Sequence, residues 1–127
     1  EGYLVACATA GLEPLILPAG SWDASAARPL MSGLDRGVDS IFAANDHLAL
    51  GCMTSLQMAG RRVPGDVKVV GFDDALGSES FLPPLTTVRQ DFRAVGEAAV
   101  AALNLLLNGD SAESVTITPS LVVRAST

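Results

Sequence analysis

Aromatic residues are scarce in this sequence: one Trp, one Tyr and four Phe among 127 residues. Any core must therefore be aliphatic. Bases are scarce as well, eight Lys and Arg against fourteen Asp and Glu, for a net charge of −6. They are spread along the chain, with Arg61, Arg62, Lys68, Arg89 and Arg93 never massed. Nucleic-acid binding needs clustered cations to displace counterions from phosphate, so this stretch is not expected to grip DNA directly. The two cysteines, Cys7 and Cys52, lie among small apolar neighbours without metal spacing and read as buried free thiols. No apolar run approaches the roughly 20 residues of a membrane-spanning helix. A nucleophile elbow, a phosphate-binding glycine loop and a Cys/His metal cluster are all missing. The Asp73-Asp74 pair has no further ligands at hand to hold magnesium. The expectation is no enzyme, no cofactor and no metal.

What is present is an alternation of strand-like and helical segments. Gly2 to Ala10 reads as a helix closed by Gly11. Pro14 to Leu17 is a short apolar run, a candidate strand. A weak helix follows over about Ser25 to Asp35, expected to start or kink at Pro29, because an internal proline removes a backbone donor. Ser40 to Ala43 is a strand. Asp46 looks like the N-cap of a helix running to Ala59, with Gly60 ending it. Val67 to Phe72, apolar except for Lys68, reads as a strand buried on both faces of a parallel sheet. A short helix around Ser78 to Leu82 ends at Pro83-Pro84, and Thr86 to Arg89 is β-prone. Asp91 caps the longest helix, to about Leu107, with Phe92, Val95, Ala99, Ala102, Leu103 and Leu106 on one stripe. Val115 to Thr118 and Leu121 to Arg124 are the last candidate strands. Strands joined through helices imply an α/β fold with a parallel, helix-covered sheet.

Open α/β sheets bind ligands at the carboxyl ends of their strands. The residues mapped there are Trp22, Asn45, Asp73 with Asp74, and Gln90. An amide or carboxylate can bridge two vicinal hydroxyls, and an indole can cover the C–H side of a sugar ring. Each residue also has a plainer reading. Asn45 could merely shape its turn, one of Asp73 and Asp74 could brace the loop, Trp22 could be a rim residue, and Gln90 could belong to the next helix cap. His47, in a first helical turn, reads as solvated.

Ala44-Asn-Asp-His-Leu-Ala-Leu-Gly51 and Val69-Val-Gly-Phe-Asp-Asp74 resemble the lac repressor family of transcriptional regulators. So do Arg62-Val-Pro-Gly-Asp66, Pro83-Pro-Leu-Thr-Thr-Val-Arg-Gln-Asp91 and Leu121-Val-Val-Arg-Ala-Ser-Thr127, all in the family's order. The resemblance implies a periplasmic-binding-protein-like (type I) fold of two α/β lobes with effector in the cleft, of which this chain is mostly the C-terminal lobe. Residues 1–89 would form that lobe, 90–118 would return to the N-terminal lobe, and 119–127 would cross back as its final strand. It further implies that Asn45 and Asp73 are the principal sugar contacts, with Trp22 in the pocket wall and Gln90 at a crossover.

The family also places a homodimer contact on the helix after Asp46, which is apolar on two faces, so Leu50, Met53 and Phe81 are expected at a twofold interface. The function implied is effector sensing, with a sugar preferred over a purine, and dimerisation within a cytoplasmic regulator. Operator DNA would be reached only through a headpiece absent from these residues, and no membrane is involved. The chain opens without Met in what reads as the middle of a helix, and a preceding segment carrying another effector-contacting arginine is expected. The competing reading is a periplasmic sugar-binding protein of an ABC transporter.

Overall fold

The computed structural model describes residues 1–127. The elements run α1 (Gly2–Ala10), α2 (Ala24–Ser32), β1 (Ser40–Phe42), α3 (Asp46–Met58), β2 (Lys68–Asp73), a 3-10 turn (Ser78–Ser80), β3 (Thr86–Arg89), α4 (Phe92–Leu107) and β4 (Ser120–Val122). Glycine ends α1 as expected: Gly11 takes φ 66°, and its N–H returns to the carbonyls of Ala8 and Cys7. Asp91 caps α4 by accepting the Ala94 N–H at 2.9 Å.

The four strands form one sheet in the order β1-β2-β3-β4. β1, β2 and β3 are parallel, with Ser40 beside Lys68 and Asp73 beside Arg89, whereas β4 runs antiparallel to β3. Parallel neighbours need a crossover, supplied by α3 between β1 and β2 and by the 3-10 segment between β2 and β3. The strand C-termini therefore open on one rim, where Asn45, Asp73 and Gln90 follow in sequence.

The core lies between the sheet and the α2–α3 pair. Leu48, Ala49, Cys52, Met53 and Leu56 from α3 meet Val67, Val69 and Leu85, with Ala27 of α2 behind. The close approach of the two helices depends on Gly51, where an added Cβ would overlap the backbone carbonyl of Ala24. Both cysteines are free and buried, and burial pushes the Cys52 thiol up to about 11, so it supplies no thiolate near neutrality.

Several sequence expectations are corrected. Pro14 to Leu17 and Val115 to Thr118 form no strand. No neighbouring strand lies beside either to satisfy ladder groups, and prolines without an N–H border both. Helix α2 begins at Ala24, not at Pro29, and carries Pro29 in its interior. The last strand is Ser120–Val122, and the Arg124 N–H turns instead to Thr86 Oγ1 at 2.9 Å. β2 is not buried on both faces. Val69 and Gly71 face α3 and are buried, but Val70 and Phe72 on the other side are only partly buried, Phe72 meeting the half-exposed Phe42 edge-on at 6.4 Å between ring centroids.

Only 19 of 127 residues are buried, and the accessible surface is 8553 Å². A compact monomer of this mass should expose about 6,300 Å², so some 2,000 Å² or more is surplus. Much of it is apolar. No residue of α4 is buried, and Phe92, Val95, Leu103 and Leu106 of its stripe all stand open, as do Leu15, Ile16, Leu121 and Val123.

Because Gly51 touches backbone and not a movable side chain, Gly51→Ala should force α2 and α3 apart. A loss of about 1–3 kcal/mol is expected in denaturant unfolding of the full-length protein. An unchanged midpoint would show that the helices can separate at no cost.

Candidate functional site

At the end of β1 the chain turns into α3 through Asn45. The expectation that Asp46 caps this helix is corrected: Asn45 is the N-cap, with extended backbone (φ −153°, ψ 170°) and its Oδ1 accepting the Leu48 N–H at 2.7 Å. Its Nδ2 donates to the Trp22 carbonyl at 3.0 Å, which ties the loop before α2 to the rim. One amide N–H and one oxygen lone pair of Asn45 remain uncommitted.

Asp46, the first residue of α3, turns inward instead. It is 1% exposed and has no cationic partner. Its Oδ1 accepts the Thr87 hydroxyl at 2.6 Å, and its Oδ2 accepts the Ala75 N–H at 2.7 Å. The helix N-terminus adds favourable partial charge. Space for the carboxylate exists because Gly71 lacks a side chain; a Cβ there would collide with Asp46 Oδ1.

The end of β2 bends through two successive non-glycine residues at positive φ, 102° at Asp73 and 52° at Asp74. Such backbone costs of order 1–3 kcal/mol per residue and persists only where the surroundings hold it. The two carboxylates divide their work. Asp73 Oδ1 accepts Gln90 Nε2 at 2.7 Å, leaving Oδ2 without a partner in the chain. Asp74 is the brace. Its Oδ1 accepts Arg124 at 2.7 Å and the Ser78 hydroxyl at 3.1 Å, and its Oδ2 accepts Arg89 at 2.6 Å. Burial would raise the Asp74 pKa, but the bonds from Arg124, Arg89 and Ser78 outweigh it and hold the group below its ordinary value. Arg124 also donates to the Leu85 carbonyl at 2.7 Å, so one guanidinium fixes both ends of the β2–β3 crossover.

The four expected site residues thus come together as two pairs, Trp22 with Asn45 and Asp73 with Gln90. The indole of Trp22 stands in solvent, the residue being 68% exposed, and only its carbonyl is engaged. An open concavity of about 560 Å³ between the start of α4 and the segment entering β4 contains Gln90, with Arg89, Asp91, Phe92, Thr118 and Ser120, but none of the other three. No group of His, Cys, Asp and Glu is arranged to hold a metal. Of the residues expected at a twofold contact, Met53 is 4% exposed and belongs to the core, while Leu50 and Phe81 are partly exposed.

Sequence reasoning overlooked Asp46 as anything but a cap. Two signals could have found it. Asn45 and Asp46 can both cap, but one helix needs only one; and a lone glycine inside an apolar strand marks a close approach.

A model of the periplasmic binding protein-like domain matches residues 1–127. The chain is 38% identical over 120 residues to the lactose operon repressor of Escherichia coli (strain K12), covering 91% of this chain and 33% of that protein. It is 42% identical over 89 residues to the lactose operon repressor of Rhizobium radiobacter, covering 69% and 79%. Among solved structures it resembles a lac repressor dimer bound to operator and the anti-inducer ONPF, at 34% identity and a TM-score of 0.89, over 99% of this chain and 46% of that one. It is similar also to a complex of the transcriptional regulator CelR with cellobiose, at 34% identity and a TM-score of 0.88, over 99% and 41%. The chain spans about a third of the Escherichia coli relative and less than half of these neighbours.

The depressed Asp74 titration has a sign. A carboxylate held low in the fold contributes stability that is complete above the ordinary range near pH 4 and is lost as pH falls through and below it. Arg124→Met should therefore lower stability at pH 7 and flatten its fall between about pH 5 and 3, read from denaturant midpoints across that range. An acid limb as steep as in the wild type would remove Asp74 from the account.

Proposed function

This chain belongs to the periplasmic binding protein-like domain family, among regulators of the lac repressor type, and on that premise we propose that it senses a small polyhydroxylated effector for a DNA-binding transcriptional repressor. The observation that carries the reading is the unpartnered Oδ2 of Asp73 at the carboxyl rim, beside a sheet whose other end-loops present Asn45 and Gln90. An anionic oxygen with no partner suits a hydroxyl donor, and the uncommitted N–H of Asn45 suits a hydroxyl oxygen. Trp22 is assigned to the wall against the apolar face of the ring, and Gln90 to the crossover that feels the state of Asp73. The relatives are repressors by name, which favours a regulator over a transport binding protein.

In this reading residues 1–89 form the C-terminal lobe. Residues 90–118 pass to a second lobe, against which the open stripe of α4 packs, and 119–127 return. Effector would favour the closed arrangement of the lobes only by its differential affinity for that state. DNA is contacted through a headpiece outside residues 1–127, in the cytoplasm, and the protein is not an enzyme. Two copies associate through Leu50 and Phe81.

A thermal-shift screen of the full-length protein against lactose, cellobiose, ONPG and a set of nucleobases tests the site. At least one sugar should stabilise the wild type. Asp73→Asn should then weaken that sugar by roughly 10- to 150-fold, the value of a hydrogen bond to a charged group, and Asn45→Ala, which removes a neutral amide and the cap of α3, should weaken it by roughly 2- to 10-fold. Stabilisation by a nucleobase alone would overturn the sugar assignment. For the pairing of copies, Leu50→Arg should shift light-scattering mass from dimer toward monomer, and a dimer as tight as the wild type would move the interface elsewhere.

A further inference from the structure

Asp46 takes no part in the contacts assigned above, yet it is a fully buried carboxylate with no cation beside it. Desolvating such a group is costly, and an apolar residue is often a neutral or better replacement where only packing matters. What the carboxylate holds is specific. Ala75, whose N–H it accepts, lies two residues beyond Asp73, and Thr87, whose hydroxyl it accepts, lies three before Gln90. The Thr87 hydroxyl also accepts the Asp74 N–H at 3.4 Å. Asp46 itself follows Asn45. All three rim segments meet at one side chain.

The segment it holds is braced at Asp74 and by the turn bond from the Ser78 N–H to the Ala75 carbonyl, but the Ala75 N–H is held by Asp46. Asp73, Asp74 and Gly77 have φ of 102°, 52° and 94°, three left-handed residues in five, and no strand ladder continues beyond Asp73. We propose that Asp46 is the positioning residue of the effector site. Through Thr87 and the Ala75 N–H it locks the start of α3, the 73–75 loop and β3 in one register, and so sets the separation of Asn45 from Asp73 that a ligand's hydroxyls must span. This rests on the effector reading for its purpose, but not for its geometry.

The test uses the full-length protein with Thr87→Val, which keeps the shape and deletes the hydroxyl, Thr87→Ser, which restores it, and Asp46→Asn. Two readouts are taken on the folded variants. Amide exchange of residues 74 and 75 should accelerate in Thr87→Val and Asp46→Asn, with the amides of α3 as protected as in the wild type. Half-saturating cellobiose or ONPG, whichever stabilises the wild type, should rise roughly tenfold or more in both, while Thr87→Ser stays within about twofold. A purely stabilising role would change the melting temperature without separating serine from valine in affinity. Asp46→Asn decides alone if Thr87→Val does not fold. Unchanged exchange at 74 and 75, or unchanged affinity in a folded variant, overturns the proposal. If neither sugar binds the wild type, the effector reading fails, and the exchange measurement still decides whether Asp46 holds the loop.

Discussion

A carboxylate packed where a strand has no side chain is the constraint from which the rest of the rim follows. Asp46 enters the space left by Gly71 and meets the Thr87 hydroxyl and the Ala75 N–H. Both bonds are short and act away from water, where a hydrogen bond is electrostatically stronger than in solvent. Helix α3 cannot slide along β2 without breaking them, nor can the bend after β2 relax. The capping amide of Asn45 is thereby fixed in place one residue earlier, with the Trp22 carbonyl attached to it.

The adjacent aspartates show how neighbouring residues of one type acquire unlike tasks. Asp74 is enclosed by Arg124, Arg89 and Ser78, and its two arginines differ in setting. The Arg89 side chain is 55% exposed and its pairing is open to screening, while that of Arg124 is 16% exposed and bonds three partners at once. Asp73, one residue earlier, points to Gln90 alone and keeps an oxygen in reserve. The kink imposed by two left-handed residues sends the two side chains apart.

Local patterning was enough to read the α/β class, the order of the central elements, the close of α1 and α3 and the start of α4 in the sequence, because Gly11, Gly60 and Asp91 act through their own backbone or side-chain chemistry. The strands at Pro14 to Leu17 and Val115 to Thr118 were not legible in the same way, since a strand exists only beside another strand. For the site, the motif residues Asn45 and Asp73 were legible as polar groups at strand ends. Their division into capping, bracing and free atoms was not. That division depends on Thr87 and Arg124, which lie 41 and 50 residues from their aspartate partners. Met53 illustrates the limit on a helix apolar on two faces: periodicity showed both faces and could not say which one the same chain would cover.

Ser126 closes the opposite end of the sheet. Its hydroxyl donates to the Val69 carbonyl at 2.6 Å and accepts the Thr86 N–H at 2.8 Å, while its carbonyl accepts the Val69 N–H. These bonds span 57 and 40 residues and leap over the whole of α4. On a ribosome, β1, β2 and β3 would emerge with these strand ends unplugged and Asp74 lacking Arg124 until residues 119–127 followed. Contacts so distant in sequence slow folding, and the open strand ends are the kind of surface chaperones bind. The sheet is thus built around its middle and fastened at this end by residues far later in the chain, so that a nascent chain halted after β3 would carry the rim residues without the Ser126 and Arg124 bonds.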